Sequence, residues 1–100
     1  MLDIFKDWIK INTCYWNKKG IEVDEIGNHP KHYLVQSTWV KLSTPNAFGQ
    51  IQVWEGDNLC LMDFMAINNE EQDFYRHYEF TDTHDFDGWQ TEFVSFMCGV

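Results

Sequence analysis

His29 and His32 form the only close pair of histidines in the sequence, and histidine is a common metal ligand. A metal site needs further ligands on a fixed backbone. Pro30 interrupts any helix between the two histidines, and no cysteine or acidic residue lies beside them at ligand spacing. We therefore predict that they are ordinary surface or loop histidines.

A second group of potential ligands is acidic and contains Asp82, Asp85 and Asp87. It lacks the glycine at the sixth position and the glutamate at the twelfth position of a calcium-binding loop. Asp85 or Thr83 can instead cap the start of a helix, where carboxylates also suit the positive end of the helix dipole. Neither group predicts a metal or a cofactor.

Asp63 is the residue with the most unusual setting for chemistry, because it interrupts the apolar run from Leu59 to Ile67. A buried carboxylate with a raised pKa can act as a general acid. The same side chain can also pair with Arg76 on the next predicted strand, or point outward from a half-exposed sheet. The sequence leaves these alternatives open.

Nucleophilic catalysis has little support elsewhere in the chain. Cys60 falls in an apolar strand, where burial raises the pKa of a thiol and makes it unreactive. The sequence contains no GxSxG elbow, no P-loop and no GxGxxG motif. We predict no catalytic residue; a small enzyme would need a pocket lined by Asp63, His77 or Cys60.

Charge is distributed unevenly along the 100 residues, which carry a net charge of −9. Residues 1–50 hold five acidic residues and six lysines, whereas residues 51–100 hold eleven acidic residues and one basic residue, Arg76. Such a field repels nucleic acid and anionic membranes and attracts basic partners. Plain solubility is the simpler explanation of the same excess.

Composition predicts one domain, residues 1–100, with a packed core, because 44% of the residues are hydrophobic and 17% are aromatic. Cys14, Cys60 and Cys98 are an odd set at wide spacing, which is typical of free thiols in a reducing compartment. We see neither a signal peptide nor a long apolar run, so we expect a cytoplasmic protein.

Hydrophobic periodicity predicts an α+β fold with a helix at each end of a β-meander. The expected helices cover residues 2–16 and 86–97, the expected strands cover 21–26, 32–43, 50–55, 59–67 and 73–80, and 43–49 is expected to be a loop. Short hairpins make the last strands antiparallel. Both helices should cover one face of the sheet and leave the other at least partly open.

Acidic and aromatic side chains concentrate in the predicted meander and its turns. Aromatic residues can anchor a partner while acids steer it and select it. As candidate binding residues we name Trp54, Glu55, Asp57, Asp63, Glu70, Glu71, Asp73, Tyr75, His77 and Glu79. If Trp54 and Tyr75 instead belong to the core, the acids only solvate the surface.

The segments Gln50–Gly56 and Phe74–Glu79, with Asp63 and the pair Glu70–Glu71 between them, resemble the small immunity proteins of polymorphic and contact-dependent growth inhibition toxins. The TriTu-like immunity family is the group that the sequence resembles, over residues 30–97. This resemblance transfers no binding residue, so the candidates above depend on charge and strand geometry.

The resemblance implies a bacterial cytoplasmic protein that binds the C-terminal domain of its cognate toxin tightly and blocks the toxin's active site. Many such toxins are nucleases, including tRNA-cleaving enzymes, and some use elongation factor Tu, so a ternary complex with that factor is possible. A basic nuclease matches the acidic half of this chain. An adaptor or an obligate subunit remains the alternative, and we expect no direct contact with nucleic acid or membrane.

Overall fold

The computed structural model describes residues 1–29 and 35–99. Its elements are α1 (Leu2–Lys18), β1 (Glu22–Asn28), β2 (Gln36–Thr44), β3 (Ala47–Glu55), β4 (Cys60–Asn68), β5 (Asp73–Phe80), α2 (Phe86–Trp89) and α3 (Thr91–Met97). The five strands form one antiparallel sheet in the order β1-β2-β3-β4-β5. The predicted α+β meander is thereby confirmed, although residues 32–34 of the expected second strand lie outside the described residues.

The expected loop at residues 43–49 is wrong. β2 continues to Thr44 and β3 begins at Ala47, so only Pro45 and Asn46 form the turn. The Thr44 hydroxyl stabilises this turn, since it accepts a hydrogen bond from the Asn46 amide (3.1 Å) and donates one to the Met97 carbonyl (2.9 Å). Side chain–backbone bonds of this kind make a turn that short possible without Gly at its centre.

The end of α1 follows from local sequence. Gly20 adopts φ +83°, its amide bonds to the Asn17 carbonyl, and the Ile21 amide bonds to the Trp16 carbonyl. This is the Schellman arrangement, in which a left-handed glycine satisfies the last carbonyls of a helix. Ile21 and Trp16 are both fully buried, so the turn also directs α1 onto the sheet.

The C-terminal helix consists of two short helices that meet at Gln90, rather than of one continuous helix. The Asp85 carboxylate caps α2 by accepting from the Gly88 amide at 3.1 Å, as predicted. The Gln90 side chain is buried, accepts from the Trp16 indole (2.9 Å) and donates to Asn12 (3.0 Å). These bonds satisfy its amide inside the core and connect the C-terminal helices to α1.

The core lies between the helices and one face of the sheet, which we call the covered face. Its strand residues are fully buried: Val40, Ile51, Val53, Met62 and Phe64. Aromatic rings from the helices pack onto them, for example Phe93 against Phe64 with ring centroids 5.5 Å apart. Gly49 leaves room for this packing, since a Cβ there would lie 2.7 Å from Phe93.

Of the helices in the described part of the chain, none has the length and apolar character needed to cross a bilayer.

Candidate functional site

Among residues 1–29 and 35–99 no helix lies on the second face of the sheet, which we call the open face. Strand alternation and the pairing register place the following side chains on it: Glu22, Asp24, Glu25, Ser37, Trp39, Lys41, Ser43, Phe48, Gln50, Gln52, Trp54, Leu61, Asp63, Met65, Ile67, Asp73, Tyr75, His77 and Glu79. Several of these are large apolar groups that remain exposed, including Phe48 (67%) and Tyr75 (54%).

Asp63 is the centre of a polar cluster on the open face. Its Oδ1 accepts a hydrogen bond from the Tyr75 hydroxyl at 3.0 Å and lies 2.5 Å from Nδ1 of His77. The hydrogen bond to Asp63 raises the pKa of His77, and Glu79 adds to this with Oε1 3.6 Å from Nε2. The bond to Asp63 also raises the pKa of the Tyr75 phenol. Asp63 thus holds both side chains in place.

The alternative in which Asp63 pairs with Arg76 is wrong. Arg76 lies opposite Phe64 in the register, so its side chain leaves the strand on the covered side. There its guanidinium Nη2 lies 2.7 Å from the Glu92 carboxylate of α3. Asp63 points outward from the half-exposed sheet, which is another of the arrangements considered from the sequence.

Aromatic rings and a chain of polar side chains occupy the β2–β3 half of the open face. The ring of His29 lies 5.4 Å from Trp39 and 5.5 Å from Trp54, and its Nδ1 is 2.7 Å from the Ser37 hydroxyl. Gln52 donates to the same hydroxyl at 3.1 Å. This network fixes the two indoles at the surface without burying them, so they can contact a partner at little cost in side-chain entropy.

A shallow apolar depression of about 520 Å³ lies at the end of the open face nearest the β2–β3 turn. Phe48, Met65 and Ile67 supply its apolar lining. Asp24 and Asp73 lie at its rim on opposite edges of the sheet. Apolar surface flanked by carboxylates suits an amphipathic segment that presents basic groups around an apolar anchor.

The structure brings together six of the ten predicted binding residues on the open face: Trp54, Asp63, Asp73, Tyr75, His77 and Glu79. The other four lie elsewhere. Glu55 is paired with the N-terminal amine at 2.8 Å and raises the pKa of that group. Asp57 lies in the β3–β4 turn, and Glu70 and Glu71 lie in the β4–β5 turn at the other end of the sheet.

The open face also contains residues that the sequence interpretation missed, notably Trp39, Phe48 and Ile67. The signal for Trp39 was present, because Trp39 and Lys41 alternate with the buried residues Thr38, Val40 and Leu42 along β2. Phe48 was overlooked because its segment was assigned to a loop. Lys41 neutralises part of the β1 edge through an ion pair with Glu25 at 3.5 Å.

The geometry does not assemble a catalytic site from Asp63, His77 and Cys60. Cys60 lies opposite Phe80 on the covered side, where burial raises the pKa of its thiol, while Asp63 and His77 lie on the open face. Within residues 1–29 and 35–99, no group of three His, Cys, Asp or Glu side chains could hold a metal ion. His32 of the sequence-level histidine pair lies outside the described residues.

Comparison with known proteins gives one family. The family model described as "Immunity protein TriTu" matches residues 3–96, which include every strand and all of α1 except Leu2. The match therefore reaches further toward the N-terminus than the resemblance at residues 30–97. Neither the curated proteins nor the solved structures give a significant match.

Proposed function

The chain belongs to the TriTu immunity protein family, and from this we propose that it binds a cognate toxin domain through the open face and neutralises it. An immunity protein implies a toxin as its binding partner, and such families are generally non-enzymatic. The observation that carries the proposal is the open face itself, in which exposed aromatic residues lie among carboxylates on a sheet that no helix covers on that side.

The target we propose is a basic nuclease domain, such as a ribonuclease that cleaves tRNA, from a contact-dependent growth inhibition system. A nuclease must attract phosphate, so its active site is expected to carry positive potential. The open face carries carboxylates on both of its edges, at Asp24, Glu25, Asp73 and Glu79. These carboxylates would bind at the positively charged active site in place of nucleic acid. Binding of this kind occludes the active site directly and requires no catalysis by the immunity protein.

The dimensions of the open face are adequate for this role. Five strands at about 4.8 Å spacing and eight residues at about 3.3 Å rise make a surface roughly 24 Å wide and 26 Å long. A standard protein–protein interface covers about 800 Å² on each partner. The open face with its bordering turns is close to that size.

A second apolar patch supports the further proposal of a ternary complex that includes elongation factor Tu. Ile4 (48% exposed), Ile11 (76%) and Tyr15 (43%) recur on the outer side of α1. This helix packs on the covered face, so the patch lies on the side of the molecule away from the open face. A third protein could bind there while the toxin occupies the open face. We place all of these interactions in the bacterial cytoplasm.

The first test identifies the protein that binds to this chain. The tagged chain is expressed in its native bacterium, and the protein that stays bound at about 0.5 M salt, where exposed charges are screened, is identified. We expect one basic toxin domain, encoded directly upstream. A partner from a metabolic operon would favour the adaptor alternative, and recovery of no partner would contradict the proposal.

Charge reversal, measured with this chain and the toxin domain as two purified proteins, then tests whether the open face is the binding surface. Asp73→Lys/Glu79→Lys should slow association by roughly 10-fold or more at low salt, because electrostatic steering acts mainly on the on-rate. The matched control, Asp7→Lys/Asp57→Lys, makes the same change in charge at exposed positions off the open face. Equal slowing by both variants would show that only net charge matters and would remove the open face from the proposal.

A further inference from the structure

The two edges of the sheet differ in how well they are protected. β1 contains a β-bulge between Val23 and Glu25, where the register shifts. Bulges are a common device for preventing an edge strand from pairing with another chain. β5 pairs with β4 without a shift from Cys60–Phe80 to Ile67–Asp73, and it contains neither Pro, Gly nor Lys. β5 does carry the charges of Asp73, Arg76 and Glu79, but without a bulge or a proline it is the less protected of the two edges.

The outer side of β5 is accessible. β5 is the last strand of the sheet formed by the described residues, and the side chains of Asp73, Tyr75, His77 and Glu79 are all exposed. The Arg76 Nη1 donates to the Tyr75 carbonyl at 2.8 Å, which indicates that this carbonyl points away from β4. In an antiparallel strand alternate residues direct both backbone groups to the same side, so residues 73, 75, 77 and 79 present their amides and carbonyls outward.

Charge disfavours a second copy of this chain added in the register that is centred on Arg76. An antiparallel pair of β5 strands centred on Arg76 would place Asp73 of each copy directly opposite Glu79 of the other. Like charges at directly opposed positions destabilise a strand pair. The same two acids would stabilise a strand that carries Lys or Arg at the opposed positions, six residues apart.

We propose that β5 accepts an extended, basic segment of the toxin domain as a sixth strand of the sheet. This inference rests on the proposed function and names the edge by which the toxin is held. Lys or Arg of the segment would face Asp73 and Glu79, and an apolar residue would face Tyr75. Arg76 would release the Tyr75 carbonyl from Nη1 and keep Glu92 through Nε (3.1 Å) and Nη2 (2.7 Å).

A proline substitution tests the backbone contribution separately from the side chain. Glu79→Pro removes an outward amide that is not needed for pairing with β4, and edge strands tolerate proline at such positions. Glu79→Gln removes the charge and keeps the amide. With the toxin domain recovered by co-purification, we expect E79P to bind at least about 10-fold more weakly than E79Q. Equal affinity of the two variants would overturn strand addition.

Amide hydrogen exchange on the unsubstituted chain provides a readout that does not depend on how E79P folds. On adding the toxin domain, exchange at Tyr75, His77 and Glu79 should slow at least about 10-fold. If a stable complex forms while these amides exchange as in the free chain, strand addition is wrong and toxin binding stands. If they are already protected in the free chain at high concentration, a second copy occupies β5. If no complex forms, toxin binding and strand addition both fail.

Discussion

The covered and open faces belong to the same five strands, yet they differ in almost every property. On the covered face Ile51 and Phe64 are neighbours in adjacent strands and are completely buried. The next pair in the register, Gln52 and Asp63, makes polar contacts on the open face. Because strand side chains alternate, each strand contributes at once to the core and to the surface.

This difference teaches that stability and binding can be separated along a single strand. Helices remove the covered face from water, so the hydrophobic contribution to folding comes mainly from that side. The open face keeps its apolar groups exposed among carboxylates, where they contribute little to folding and remain available to a partner. Substitutions on the two faces should therefore affect different measurements.

The largest expected effect is on stability, at Phe64. Phe64→Ala leaves a cavity beneath Phe93 and Tyr78, whose ring centroids lie 5.5 Å and 6.0 Å from that of Phe64. Removing a fully buried phenylalanine costs about 3–5 kcal/mol of unfolding free energy, which urea denaturation measures directly.

Phe48→Ala is the matched substitution on the open face, where the side chain is 67% exposed. It should change the unfolding free energy by no more than about 0.5 kcal/mol and weaken binding of the toxin domain. If Phe48→Ala lowered the unfolding free energy as much as Phe64→Ala, the open face would be part of the core, and the contrast between the two faces would fail.

Most of this fold could be predicted from the sequence because each element has a strong local signal. The apolar spacing of α1, its Gly20 stop and the alternation of β5 all gave the correct element. The turn at Pro45–Asn46 could not be predicted, because the Thr44 hydroxyl that stabilises it bonds to Met97, a residue 53 positions away. The break at Gln90 has a similar origin in its buried contacts with Asn12 and Trp16.

The candidate site was predicted less completely than the fold, because side-chain alternation assigns a face to strand residues but not to turn residues. Trp54, Asp63, Tyr75 and His77 alternate with core residues, and the structure has all four on the open face; their role in binding stays a prediction. Glu70 and Glu71 were chosen for charge alone, and charge does not specify which end or face of a sheet a turn residue occupies. Trp39 lies in the half of the chain that has no acidic excess, and Phe48 lies in the segment that was expected to be a loop, so neither was named as a candidate.

The next expected effect is at two glycines, one beneath each face. Gly49→Ala places a Cβ 2.7 Å from Phe93 Cζ and 2.8 Å from Met97 Sδ. Both side chains are fully buried, so the core must shift. Overpacking of this kind costs about 1–3 kcal/mol, and we expect a thermal or urea midpoint lowered accordingly.

Gly27→Ala is the counterpart on the open side, where the added Cβ meets the indole of Trp39. Trp39 is half-buried at the surface and can make room by giving up its ring contact with His29, so the stability loss should stay below about 1 kcal/mol. The displacement should instead appear as a change in Trp39 fluorescence and as weaker toxin binding. A larger loss of stability for Gly27→Ala than for Gly49→Ala would reverse the roles assigned to the two faces.

The smallest expected effect is a pH dependence that belongs to the open face. The groups that face His77 are Asp63, Glu79 and Tyr75, and the two carboxylates raise the pKa of the imidazole above its ordinary value of about 6.5. Folding therefore favours protonated His77, so this stabilisation is fully present below about pH 6.5 and is lost as the pH rises through the folded-state pKa. The pair is partly exposed, so we expect less than about 1 kcal/mol.

The measurement is the difference in unfolding free energy between the unsubstituted chain and His77→Gln at several pH values. It should shrink as the pH rises from about 6 to 8, because His77 then loses the proton that its hydrogen bond to Asp63 favours. Arg76→Gln is the control on the covered side, because it removes an ion pair, with Glu92, that contains no histidine. If the His77→Gln difference were as independent of pH as the control, Asp63 would hold a neutral imidazole, and its role on the open face would be only to position His77 and Tyr75 for the partner.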